Sequence, residues 1–429
     1  MKINIFWFRR DLRLNDNTAL ENALSSGLPV LPVFIFDTNI INELPNDDPR
    51  ISFIYESLVK INQELKRHGS SLYILKDEPV SAWRKLTASF NINEVFLNKD
   101  YEPYSINRDN HVKDILNQHD INLYKFKDQV IFEERDVVKS DGNPYTVFTP
   151  YKNRWLQILS SDKSVTENKK KKSASDFLQC EFPFPTIEEL GFTTSSIRTK
   201  PYDLSVINEY HLNRDFPARD KTSYLSPHLR FGTISIREVV KAALEQNPVF
   251  LTELIWREFF MQILFHYPQV VTENFRQKYD GIIWRNDENE FELWCKGGTG
   301  YPIVDAGMRE LNETGYMHNR VRMICAGFLC KHLLIDWRWG EAYFASKLLD
   351  YELSSNNGNW QWASGTGCDA APYFRVFNPL TQQKKFDPDS IYIKKFVPEI
   401  GTSYYPEPVV DHNMARIRAV STYRNGLKY

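Results

Sequence analysis

Apolar positions in the first 126 residues fall in short runs separated by longer amphipathic stretches. The runs predict strands over Lys2–Phe8, Val30–Phe36, Ser71–Leu75, Glu94–Asn98 and Ile121–Phe126. Between the second and third, Pro49–Arg67 carries Ile51, Ile54, Leu58, Ile61 and Leu65 at helical spacing. Strands that alternate with helices build a doubly wound, Rossmann-like parallel sheet with helices on both faces. From about 127 to 200 the pattern dissolves, and SSDKSVTENKKKKSASD reads as a solvated linker. From Pro201 onward the period is helical, clearest over Ser235–Gln246, Thr252–Phe265, Pro302–Glu313 and Met317–Leu334. Pro302 suits a first helical turn, and Gly315 is placed to stop that helix. The expected organisation is an α/β domain over 1–126, a connector over 127–200 and an all-helical domain over 201–429.

Composition adds little to this picture. A 42% hydrophobic and 25% charged chain is an ordinary globular sequence. No apolar run approaches the ~20 residues that span a bilayer. The opening MKINIFWFRRDLRL breaks into arginines too early for a secretory signal, so a cytoplasmic protein is expected, with no membrane partner. Cys180, Cys295, Cys325, Cys330 and Cys368 form no CxxC pair and no zinc-type spacing, so no metal is indicated. A net charge of −2 gives no general argument for nucleic acid, and any such site is a local patch. The turn after the first strand, FRRDLRLNDN, lacks the glycines that let backbone approach a pyrophosphate, which argues against a nicotinamide dehydrogenase.

Candidate chemistry concentrates in the helical half. Seven of the ten tryptophans follow residue 250, a density that suits flat aromatic ligands, although core filling explains most tryptophans in most proteins. In RDKTSYLSPHLRFG, Thr222, Ser223 and Ser226 offer hydroxyl and backbone donors before a helix, as an anion site or as a plain helix cap. In TELIWREFF, Glu253, Trp256, Arg257 and Phe260 share one helix face, which suits either a planar ligand or a surface salt bridge. Asn319 and Met323 lie four apart on a helix, and Asp350 and Glu352 precede the turn signal Asn356–Asn357–Gly358. The run Lys169–Lys172 is basic, as solvated loops often are.

Taken in order, FWFRRDLRLNDN, DYEPYSINRD, TSYLSPHLRFG, ELIWREFF, TGYPIVDAGMRELNETGYMHNRVRM and NNGNWQWASGTGCDAAPYFRVFNP make the chain resemble the photolyase/cryptochrome family over essentially its whole length. Within that family it is nearest to class I cyclobutane pyrimidine dimer photolyases. The resemblance implies light-driven splitting of these dimers by electron transfer from excited, reduced FAD. It places Tyr210, Thr222, Ser223, Tyr224, Leu225 and Ser226 on the FAD diphosphate and neighbouring groups. Arg322, Asp350, Tyr351 and Glu352 would lie beside the isoalloxazine, and Asn356 would face flavin N5. Asn at that position points to repair, where plant signalling cryptochromes usually carry Asp and animal ones Cys.

By the same resemblance, Glu253, Trp256, Asn319, Met323 and Trp362 contact the flipped dimer, and Trp360, Trp337 and Trp284 carry electrons from the surface to oxidised flavin. Trp294 and Trp339 stay with the core. Damaged DNA would also meet Arg214, Arg257, Arg320, Gln382 and Lys385. Asp100 and Glu102 mark an antenna position whose second chromophore (folate, deazaflavin, flavin or none) stays open, because Tyr101-Glu102-Pro103-Tyr104 departs from the folate pattern. A monomer is expected. The alternative is a blue-light-signalling cryptochrome without repair activity.

Overall fold

The computed structural model describes residues 1–161 and 176–427, so Lys169–Lys172 lie outside the described residues. The chain divides into two compact units built from discontinuous stretches. The first comprises Met1–Val137, Trp155–Tyr202 and Tyr224–Glu245; the second comprises Val138–Arg154, Asp203–Ser223 and Gln246–Tyr429.

The first unit is a sheet of five parallel strands, β1 (Ile3–Phe8), β2 (Val30–Asp37), β3 (Tyr73–Asp77), β4 (Ile92–Asn98) and β5 (Asn122–Phe126), in the order β3-β2-β1-β4-β5. Side chains alternate across it. Ile3, Ile5 and Trp7 of β1 join Leu31, Val33 and Ile35 of β2 in one apolar layer. Phe6 and Phe8 join Val30, Phe34 and Phe36 in the other. With both faces covered, β1 and β2 read as continuous apolar runs, which is why sequence found them. The helix Pro49–Arg67 keeps its expected bounds, because Asp48 caps Arg50 N at 2.8 Å and Pro49 sits in the first turn. No helix among the described residues is long and apolar enough to cross a membrane.

In the turn after β1, charged side chains stand where a dinucleotide fold has glycines. Arg9 Nη1 binds Asp109 at 2.6 Å, and Asp11 accepts from Arg9 N at 2.7 Å and from Asn98 Nδ2 at 2.6 Å. The glycine this turn does require is distant in sequence. A Cβ on Gly232, which has φ +65°, would stand 2.2 Å from the Arg10 carbonyl oxygen.

Three stretches differ from expectation. A helix, Phe148–Ser161, forms inside the segment expected to be patternless, and Phe148, Tyr151, Trp155 and Leu159 are its buried positions. That spacing is helical, but flanking polar residues mask it. Further on, Met317–Leu334 is not one helix. His318 caps an α-helix over Asn319–Gly327, followed by a wide π-type stretch over Phe328–Leu333 that Leu334 ends at φ +51°. Burial forces the change. Lys331 is 3% exposed, and its Nζ reaches the Ser364 carbonyl at 2.6 Å and lies 3.6 Å over the Tyr423 ring. The helix begun at Thr252 in the sequence reading starts earlier, at Pro248, because Asn247 caps Val249 N and Phe250 N. Pro302–Thr314 begins and ends as expected, with Gly315 at φ +70°.

Candidate active site

The second unit gathers three helices: Pro248–His266, Asn319–Gly327 and Leu353–Ser364. The first two both pack against the third. Two ion pairs tie these flanking helices to the start of the central one. Arg257 Nη2 lies 3.2 Å from Glu352 Oε1, and Arg322 Nη2 lies 2.9 Å from Asp350 Oδ2. Each carboxylate is nearly enclosed, so each arginine satisfies a group that would be costly to bury alone. The five positions assigned to the lesion, Glu253, Trp256, Asn319, Met323 and Trp362, are thus carried on two flanking helices and the central helix both pack against.

Trp256 is half-buried and clasped by aromatic rings. Phe148 lies flat on it, with centroids 3.5 Å apart and planes at 6°. Phe260 leans on it at 5.4 Å, and Phe259 meets it edge-on at 5.6 Å. Glu253 Oε1 sits 2.6 Å from Arg214 Nη1. Burial pushes the Glu253 carboxyl above its ordinary pKa, although Arg214 pulls it back. Asn319 is exposed, and Met323 is half-buried with its sulfur 3.6 Å from Arg320 Nη1. Trp362 is half-buried, whereas Trp360, two residues earlier on the same helix, is 2% exposed.

Asn356 is buried, and its Nδ2 donates to Glu341 Oε1 at 2.7 Å and to the Glu341 carbonyl at 3.1 Å. The amide is therefore oriented, and its Oδ1 is the acceptor it has to spare. Glu341 escaped the sequence reading because nothing in EAYFASK links it to a residue fifteen positions on. Tyr210 packs edge-on against Phe250 at 5.0 Å, with Arg214 5.2 Å from its ring centroid. Tyr210, Thr222 and Ser223 belong to the second unit, while Tyr224, Leu225 and Ser226 belong to the first. Tyr224 has φ +49°, an uncommon left-handed conformation for a bulky residue and a frequent mark of a ligand-holding turn.

The tryptophans grade outward. Trp360 and Trp337 are 2% and 1% exposed, and Trp284 is half-buried. Trp337 donates its indole N–H to Asn274 Oδ1 at 2.9 Å, and Trp284 meets Tyr423 edge-on at 5.8 Å. Trp360 packs on Gly340, in the helix that Trp337 begins; a Cβ there would stand 2.1 Å from the indole. Gly340→Ala is accordingly expected to destabilise the fold by about 1–3 kcal/mol through overpacking, read as a lowered denaturation midpoint. Trp294 is fully buried and donates to the Cys325 carbonyl at 3.2 Å, a core role.

Among the residues assigned to DNA, Arg214 and Arg257 pair with glutamates, and Arg320 pairs with Asp215 at 2.6 Å. Lys385 is exposed and Gln382 is half-buried, both on the helix Pro379–Phe386. In the first unit, Asp100 and Glu102 follow β4, next to the Arg10 that follows β1, at the point where the strand order reverses. Arg10 Nη1 lies 3.2 Å from Asp100 and 2.9 Å from Glu102, and Arg230 lies 3.2 Å from Glu102. Burial by itself would raise Asp100, but Arg10, Arg9 and Arg108 outweigh it and hold the carboxyl below its usual range. Both antenna candidates are therefore already engaged by arginines.

Residues 4–171 match the family model for DNA photolyase, and residues 250–404 match that for the FAD binding domain of DNA photolyase. The chain belongs to the DNA photolyase family. It is similar to the deoxyribodipyrimidine photo-lyase of Halobacterium salinarum, with 35% identity over 98% of each chain. A class III photolyase from Agrobacterium tumefaciens has the same fold, with TM-score 0.86, 33% identity, and 99% and 98% of the two chains covered. The archaeal photolyase of Sulfolobus tokodaii, whose structure holds two FAD molecules, matches with TM-score 0.84, 35% identity, and 99% and 100% covered.

The residues present fit a flavin nucleotide. In the second unit, the hydroxyls of Thr222 and Ser223 are half-exposed and make no hydrogen bond to other described residues, as donors for a phosphate would be. Asn356 offers a fixed acceptor, and the Arg322 guanidinium keeps 28% of its side chain accessible while paired with Asp350. FAD is the cofactor of this family domain.

Proposed function

We propose that the protein is a deoxyribodipyrimidine photo-lyase of the class I, cyclobutane-dimer type, with 1–126 as antenna domain, 127–200 as connector and 201–429 as the domain that holds FAD and DNA. The observation that carries this reading is the union, on three packed helices, of Glu253, Trp256, Asn319, Met323 and Trp362 with an oriented Asn356. When bound, reduced FAD supplies on illumination the single electron that splits the cyclobutane ring, and recovers it afterwards. The remaining work belongs to the chain.

Trp256 and Trp362 offer apolar walls for a dinucleotide flipped out of the duplex, a cost that is smallest for damaged bases. Glu253, paired with Arg214, offers a carboxylate that can accept a hydrogen bond from a pyrimidine imide N–H. Asn319 supplies a neutral amide with both donor and acceptor, and Met323 fills the gap with a polarizable side chain. Thr222, Ser223 and Ser226 would hold the cofactor phosphates, Arg322 and Asp350 would lie beside its ring, and Asn356 would offer its Oδ1 as an acceptor. Trp360, Trp337 and Trp284 return electrons to the oxidised cofactor. We read the protein as a cytoplasmic monomer, and Asp100 and Glu102 as the floor of an antenna site.

Backbone contacts come from Lys385, Gln382 and Arg320, with Arg214 and Arg257 mainly neutralising glutamates. Few released counterions follow. With about two phosphates neutralised, by Lys385 and Arg320, affinity for damaged DNA should fall roughly 12-fold between 50 and 200 mM salt. Binding titrations at both concentrations check this, and an unchanged affinity contradicts the basic patch. Repair itself is tested with dimer-containing oligonucleotide, reduced protein and blue light.

A further inference from the structure

Residues Val138–Arg154 come from the stretch that sequence leaves as connector, yet they pack in the second unit along the helix Pro248–His266. Three contacts join the segment to that helix. Phe148 stacks on Trp256, Tyr151 meets Phe259 at 5.2 Å, and the Tyr145 carbonyl accepts from Gln262 Nε2 at 3.0 Å. Trp256, Phe259 and Gln262 are three residues apart in turn, so the segment forms a strap over about two turns of the helix.

The Phe148 contact is of a different kind from the other two. Its ring is 6% exposed and parallel to the indole within 6°, so protein already covers one whole face of Trp256. The indole cannot turn about its side-chain bonds without entering the Phe148 ring. Phe148 is itself pinned at the helix start, where its N–H donates to Asp369 Oδ2 at 3.0 Å. Asp369 follows the Trp362 helix in the chain, so one carboxylate links the strap to the segment after the second proposed lesion wall.

We propose that Phe148, held by Asp369, is a positioning residue for lesion recognition: it fixes the plane of Trp256 before the dimer arrives. A wall already immobilised spares the ordering that a free side chain undergoes on binding, and the benefit goes to the flipped lesion rather than to undamaged duplex. This rests on the assignment of Trp256 to the lesion pocket. Phe148 touches neither dimer nor flavin in this scheme and acts only through Trp256.

The test compares Kd for dimer-containing and undamaged oligonucleotides in the flavin-loaded protein. Phe148→Leu should lower the preference for damaged over undamaged DNA roughly 3- to 10-fold, the range of one aromatic stack, and Phe148→Tyr should retain it. Asp369→Ala, which leaves the ring in place, should lose preference in the same direction by a smaller factor. If Phe148→Leu does not retain flavin, Asp369→Ala decides. An unchanged preference in the folded variant, or equal loss of affinity for both DNAs, overturns the proposal. Trp256→Ala separates the two layers. If it too leaves dimer affinity intact, the pocket assignment fails; if it alone lowers affinity, only the role of Phe148 fails.

Discussion

Replacing Trp256 with alanine is expected to weaken binding of dimer-containing DNA by roughly 5- to 150-fold, the 1–3 kcal/mol that one base–aromatic stack contributes. The loss should be selective. Affinity for undamaged duplex depends on phosphate contacts made by other residues, so it should move little. The flavin absorption of the variant should match that of the parent, because Trp256 is not among the residues assigned to the cofactor. Titration of fluorescent oligonucleotides with and without a single dimer reads all of this. A variant that binds damaged and undamaged DNA with the same ratio as the parent would remove Trp256 from the pocket.

The second large effect is on photoreduction. Trp337→Phe should stop the blue-light reduction of oxidised flavin in the presence of an external donor, while leaving dimer splitting by chemically pre-reduced protein nearly intact. The indole is 1% exposed and anchored to Asn274, so phenylalanine keeps most of the packing and removes the oxidisable ring. A modest stability cost is expected, because Asn274 Oδ1 loses its indole donor. Absorbance at the flavin bands under illumination measures the first activity, and the oligonucleotide assay measures the second. Loss of both together would refute the wiring assignment.

How far the sequence led depends on what kind of signal each feature leaves. β1 and β2 were legible because they are buried on both faces, and Pro49–Arg67 because its cap, proline and apolar stripe agree. The dehydrogenase alternative could be set aside from the missing glycines, and ion pairs among Arg9, Arg10, Asp100, Glu102 and Asp109 occupy that turn. Local motifs also gathered the residues of the helical site, since Glu253 to Arg257, Asn319 to Met323 and Asp350 to Trp362 are each contiguous.

What escaped was everything set by partners far along the chain. Phe148 lies 108 positions from Trp256 and in a segment dominated by polar residues. Glu341 orients Asn356 from a neighbouring helix, and no periodicity records that hydrogen bond. The break at Phe328 arises from burying Lys331 against Ser364 and Tyr423, a tertiary demand that local propensity cannot express. Sequence likewise assigned charged residues to DNA without revealing that Arg214, Arg257 and Arg320 already hold carboxylates.

The central claim is that these side chains, with FAD, convert light into dimer splitting. It is tested most directly by mixing the fully reduced protein with an oligonucleotide containing one thymine dimer and counting restored thymines before and after blue light. Restoration is expected to require light and reduced flavin and to fall sharply in Trp256→Ala. Tight binding of the dimer with no light-dependent restoration would contradict it and favour a signalling cryptochrome.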